Sequence, residues 1–208
     1  AEVRAKRDAS LATRRDPLTG TSEFPNIHEA PVSVVMPAPA APTFSPPPDE
    51  EGYTQPLPST RLAEPYERLR DRSDTILAAA GARPRVFLAN LGPISAFSAR
   101  ATFAKNAFEA GGIEAVTNDG HSSLQELAAG FEASGATVAC ICSSDEIYGT
   151  QAVQAAAALK NAGAAAIYLA GRPGEMEAAL KEAGVTGFVY VGCNLLQLLE
   201  AALAKAVG

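Results

Sequence analysis

The chain has 208 residues, 47% of them apolar and only 6% aromatic, with no Trp. That is room for one good domain plus further segments, with a core of Ala, Val, Leu and Ile. Its 17 basic and 23 acidic residues give a formal net charge of −6, which argues against nucleic acid or an anionic membrane as partner. No apolar run reaches the roughly 18 residues of a membrane span, and no signal-peptide pattern is visible.

The chain opens on AEVRAKRDASLATRR, a charged stretch of helical character without an initiating Met, as expected of a piece of a longer protein. RRDPLTGTSEFPN then reads as turns with a short extended piece. Residues 31–58 hold nine of the fifteen prolines; lost backbone donors and a preference for extended polyproline conformations make this a linker, lying along a surface. A connecting helix is predicted over 59–82. Ser59 or Thr60 can cap it, Leu62, Tyr66, Leu69 and Ile76 recur at helical spacing, and Gly81 ends it.

Over 83–208 the pattern becomes regular. RVFLANL, IEAVTN, TVACICS, AAIYLAG and GFVYVG read as five buried strands. Between and after them lie Ala-rich amphipathic stretches: Ser98–Ala110, Ser123–Ser134, Thr150–Ala162, Glu175–Ala183 and Asn194–Val207. Strands alternating with helices at short spacing predict an α/β domain, a flavodoxin-like (Rossmann-like) five-stranded parallel sheet of order 2-1-3-4-5. Cys140, Cys142 and Cys193 lie in apolar runs, so they read as small hydrophobes in a reducing cytoplasm rather than as a disulfide framework. No other Cys or His cluster stands at metal-ligand spacing.

Such a sheet binds ligands outside the carboxyl ends of its strands, where the order reverses between strands 1 and 3. The relevant loops are Leu91–Phe97 and Ser143–Gly149, with those starting at Gly171 and Gly192 beside them. His121 follows strand 2, an edge, and so is expected one strand away. The first loop, LGPISAFSA, lacks the glycine fingerprint of a dinucleotide site. A phospho-receiver would use Asp145 but also needs acidic residues in the first loop and a Lys after strand 5, where the chain reads GCNLL. Asp145 is then a solvated loop residue or a charge at a helix N-terminus.

RPRVFLANLGPISAFSARATFAKNAFEAGGIEAV resembles the C-terminal domain of the methylmalonyl-CoA mutase family, on the side of its small (beta) subunit. RRDPLTGTSEFPN is similar to the last strand region of the mutase barrel, and RLAEPYERLRDRSD to the helix joining linker and terminal domain. CSSDEIYGTQA and AIYLAGRPGE continue the likeness, which implies a barrel tail over 1–30 and a cobalamin-binding-like domain over 83–208. In this family the large subunit holds adenosylcobalamin through D-x-H-x-x-G after strand 1, the His binding cobalt and the Asp orienting it. Carried onto this chain, Gly92 fits, but Ile94 stands for the Asp, Ala96 for the His and Ala99 for the Gly. The family's S-x-L falls on Ser143, Ser144 and Asp145, and its Gly-Gly on Ala170 and Gly171.

The resemblance therefore implies a degenerate pocket rim of Gly92, Ile94, Ala96, Ser143, Ser144, Gly171 and Gly192, with no cobalamin bound and no metal ligand. Ile94 and Phe97 are the residues expected to fill it. Asp119-Gly120-His121 carries the right letters after the wrong strand, and the Gly due three residues after the His is Leu124, so His121 is a decoy. The implied role is a non-catalytic, structural region of a small subunit paired with a large catalytic subunit. The holoenzyme would interconvert methylmalonyl-CoA and succinyl-CoA. The alternative is a functional cobalamin-binding domain of a related acyl-CoA mutase, with His121 as its only candidate ligand. A nucleotide or phospho-signal module on the same fold is a third possibility, disfavoured by the missing loop chemistry.

Overall fold

The carboxyl ends of five parallel strands organise the protein, whose structure, a computed structural model, describes residues 2–30, 33, 35, 36 and 60–207. The linker expected over 31–58 lies almost wholly outside the described residues. Strands β1 (Arg85–Asn90), β2 (Glu114–Val116), β3 (Val138–Cys142), β4 (Ala166–Ala170) and β5 (Val185–Val189) form one sheet of order β2-β1-β3-β4-β5. All four pairings are parallel, with Val86 beside Val138 and Cys140 beside Tyr168. This is the predicted flavodoxin-like order.

Every residue of β3 and of β4 is buried, which is why these strands read as unbroken apolar runs rather than alternating ones. Successive side chains enter two separate cores. Leu88, Cys140, Cys142 and Tyr168 face helices α3 (Ile94–Ala110) and α7 (Leu195–Ala206). Phe87, Ala89, Ile141 and Leu169 face α4 (Leu124–Ser134), α5 (Asp145–Asn161) and α6 (Glu177–Ala183). Cys140 and Cys142 are fully buried members of the first core, and burial pushes the Cys140 thiol up. Among the described residues, no helix is long and apolar enough to cross a membrane.

Helix starts depart from the sequence expectation. α5 begins at Asp145, not Thr150, because the Ser144 hydroxyl accepts from the Ile147 N–H and two carboxylates, Asp145 and Glu146, occupy the first turn. α3 begins at Ile94, directly after Pro93, rather than at Ser98. The connecting helix, α2 (Glu64–Ala80), starts beyond Ser59 and Thr60; Ala63 precedes it without a side-chain cap, and Pro65 opens it. Its end is as predicted, with the Gly81 N–H returning to the Leu77 carbonyl at 2.8 Å. β5 stops at Val189, because β4 ends at Ala170 and offers Tyr190 and Val191 no partner; Val191 is 79% exposed.

Residues 2–30 are fastened to the rest through α2, α3 and α7. The Tyr66 hydroxyl donates to the Leu11 carbonyl at 3.2 Å, at the end of α1 (Glu2–Ala12). The Arg70 guanidinium donates to Gly20 and Thr21 carbonyls at 3.2 and 2.6 Å and to the Ala110 carbonyl at 3.2 Å. Arg14 pairs with Glu23 and lies over the Phe103 ring at 5.5 Å.

Burial pushes the Tyr66 phenol up to about 12, with Arg14 pulling the other way. The folded state thus favours the neutral phenol. That stabilisation is whole below the unfolded value of about 10 and is lost as pH rises through the folded one. We expect the urea midpoint to hold steady up to about pH 9 and to fall between roughly pH 10 and 12. In Tyr66→Phe the fall should shrink, at the expense of about 1 kcal/mol for the bond to Leu11. An unchanged fall would assign it to the other buried tyrosines, Tyr148 and Tyr168, whose phenols burial also pushes up.

Candidate functional site

The strand order reverses between β1 and β3, so the crevice lies at their carboxyl ends. Beyond β1 the Leu91 N–H donates to the Cys142 carbonyl at 3.0 Å, and Gly92 turns the chain with φ of 79°. A Cβ on Gly92 would stand 2.5 Å from Ile147 Cδ1, a side-chain end that can turn aside, so it is the backbone angle that requires glycine. The loop predicted over Leu91–Phe97 is only Leu91–Pro93, and Ile94 and Ala96 belong to the first turn of α3.

Ile94 is 59% exposed and so does not fill the crevice as expected. Phe97 is 4% exposed, but it packs under the β2 exit: a Cβ on Gly120 would meet its ring at 2.9 Å. What lies across the crevice is Arg100. Its guanidinium donates to the Ser143 carbonyl at 2.9 Å and to Asp145 Oδ1 at 2.6 Å, and it sits 4.8 Å from the Tyr148 ring centroid. A Cβ on Gly171, whose φ is 149°, would come within 3.3 Å of Arg100 Nη1.

Tyr148 locks the same corner. Its hydroxyl accepts from the Ser143 N–H at 2.9 Å and stands within donor reach of the Ala170 and Ile141 carbonyls at 2.9 and 3.1 Å. The buried Ser143 hydroxyl donates to the Leu91 carbonyl at 2.8 Å. Ser143 is thus tied to Leu91 beside Gly92, Ser144 caps α5 next to it, and Gly171 lies against Arg100 and Tyr148. Gly192 is apart from them: it lines a small cavity of about 80 Å³ with Arg14, Phe103 and Cys193. Asp145 opens α5 and is 84% exposed. Arg100 and Tyr148 escaped the sequence reading, which placed Arg100 on an anonymous helix face and Tyr148 in a loop. The available signal was Tyr148 standing four residues after a capping Ser144.

His121 stands closer than its place after β2 implied. The chain beyond Val116 runs on beside β1 in the same direction, with the Asn118 amide donating to the Leu88 carbonyl at 2.7 Å. His121 then bridges to Leu91, its N–H donating to the Asn90 carbonyl at 3.3 Å. The ring packs 5.6 Å from the Phe87 centroid, with Gly130 of α4 against it. Its Nε2 is buried without a hydrogen-bond partner, and burial lowers its pKa while Glu126 pulls the other way. Among the described residues, no three His, Cys, Asp or Glu side chains stand together as a metal site.

Fold and crevice together define a flavodoxin-like α/β protein whose strand-end corner is occupied by its own side chains. No family model matches the chain. It is 48% identical over 201 residues to the methylmalonyl-CoA mutase small subunit of Streptomyces virginiae, covering 97% of this chain and 30% of that protein. The small subunit of Propionibacterium freudenreichii subsp. shermanii is 35% identical over 201 residues, 96% of this chain and 29% of the relative. A probable methylmalonyl-CoA mutase small subunit of Mycobacterium tuberculosis is 36% identical over 210 residues, 99% of this chain and 30% of the relative. The chain is thus a homologue of the methylmalonyl-CoA mutase small subunit, and spans about 30% of the length of these relatives.

A Cβ on Gly130 would stand 2.8 Å from His121 Cε1. Gly130→Ala should therefore destabilise the protein, despite Ala's better helix propensity. In a His121→Ala background the same change should instead stabilise by up to about 1 kcal/mol. Urea unfolding of the four proteins checks this; equal effects in both backgrounds would mean the ring does not rest on α4.

Proposed function

We propose that the chain is the structural, non-catalytic C-terminal region of the small subunit of an adenosylcobalamin-dependent methylmalonyl-CoA mutase. In this reading residues 1–30 are the tail of the subunit's barrel, 31–58 a linker and 59–82 a connecting helix, leading into a cobalamin-binding-like domain over 83–208. The large subunit is the partner and carries the cofactor. Methylmalonyl-CoA and succinyl-CoA are interconverted there, by radical chemistry that the cofactor supplies. A cytoplasmic setting accords with the free, buried Cys140 and Cys142.

The observation that carries this reading is the make-up of the crevice. At the position matching the family's cobalt ligand, Ala96 ends at Cβ. At the position of the orienting carboxylate, Ile94 offers exposed hydrocarbon. Beside Gly171, where the family leaves bare backbone for the cofactor's tail, the Arg100 guanidinium is already bound to Ser143 and Asp145. These residues do not fit cobalamin. The fastening of Leu11, Gly20 and Thr21 to α2 supports a barrel tail and terminal domain that form one unit.

A second reading draws on one observation: His121 stands beside the β1 exit, so a cobalamin-binding domain with a displaced ligand is the competitor. Titrating the purified chain with aquocobalamin and adenosylcobalamin separates them. We expect the absorption spectrum of each cobalamin to stay unchanged. A histidine-ligation shift would overturn the proposal, and its loss in His121→Ala would identify the ligand.

A further inference from the structure

We propose that the crevice is a guanidinium site satisfied from within: Arg100 is its resident ligand, and holding that cation is what keeps the three strand exits together. This deepens the reading above and rests on it. Each partner of the guanidinium is of a kind that recognises cations. The Ser143 carbonyl and the Asp145 carboxylate accept from its two terminal nitrogens, and the Tyr148 ring lies beneath it. Gly171 leaves the side on which Nη1 rests without a Cβ.

The exposed carboxylate alone would contribute little, since Asp145 is 84% exposed and such pairs are screened by water. Arg100 itself is only 28% exposed, and its planar fork meets carbonyl, carboxylate and ring at once. A lysine ammonium, a single point charge, cannot reproduce that set. The partners are themselves fixed: Ser143 to Leu91 beyond β1, and Tyr148 to Ser143 beyond β3 and to Ala170 at the end of β4. One guanidinium thus touches a framework tied to three strand ends, the corner that in a ligand-binding relative of this fold an external molecule would span.

The test is chemical rescue in the full chain. Arg100→Ala should lower the thermal midpoint by several degrees. Methylguanidinium at about ten times its dissociation constant should then raise the variant by roughly 3–5 °C. The wild type should not respond, and methylammonium should not substitute. Arg100→Lys should fall nearly as far as Arg100→Ala, and Gly171→Ala should destabilise the wild type more than it does Arg100→Ala. Should Arg100→Ala fail to fold, Arg100→Gln, a shorter uncharged side chain that keeps two methylenes and an amide NH2, is read by its thermal midpoint and the methylguanidinium response in the same way. An Arg100→Ala protein as stable as wild type overturns the inference, as does a variant that methylguanidinium leaves unmoved or methylammonium raises equally. A cobalamin shift in the wild type sinks the functional reading instead, so the two failures are distinguishable.

Discussion

Burial of the central strands on both faces is the constraint from which the rest follows. With every side chain of β3 and β4 inside, no water reaches their backbone, and parallel ladders must satisfy each N–H and C=O. The covering helices come close because their inner faces are small: Ala104, Ala107 and Ala110 on α3, and Ala152, Ala155 and Ala156 on α5, are buried. A sheet so enclosed can meet other molecules only at its edges and ends. That confines any chemistry, inherited or lost, to the carboxyl-end loops.

At those ends the ladder stops and polar groups need new partners. In ligand-binding members of such folds a bound molecule takes part of that role. Here side chains do it. Tyr148 serves the Ser143 N–H and the Ala170 carbonyl, Ser143 serves the Leu91 carbonyl, and Arg100 serves the Ser143 carbonyl. The corner is closed by the protein's own groups, so the strand ends are satisfied by side chains. The homology to mutase small subunits rests on the sequence, and the self-satisfied corner on the packing of side chains from three elements.

Much of the fold was legible because it follows from patterns that are local and periodic. Unbroken apolar runs marked doubly covered strands, and their alternation with Ala-rich helices implied parallel pairing and the observed order. Errors arose where a local signal competed with packing. The glycine at 149 and the charges at 145 and 146 made a loop of what is the first turn of α5, since Gly149 faces open space and needs no turn. GFVYVG is apolar throughout, yet Tyr190 and Val191 leave the sheet because β4 has already ended. At the site, Ser143, Ser144 and Gly171 follow β3 and β4 directly, as the apolar runs implied. Ile94 was assigned to the pocket because the resemblance sets it where the family's Asp stands, while helix geometry turns it outward and directs Arg100 inward.

By itself the sequence determined which elements form and that the sheet is parallel and buried. These depend on side-chain type and spacing, which are properties of the chain alone. Tertiary structure decided two things. It kept His121 beside the end of β1 and laid its ring against Phe87 and Gly130, and it carried Arg100 across to Ser143, 43 residues away in the chain. Both are contacts between side chains from different elements. They depend on the rotation of each helix about its axis, which packing against the shared sheet selects and no local pattern encodes.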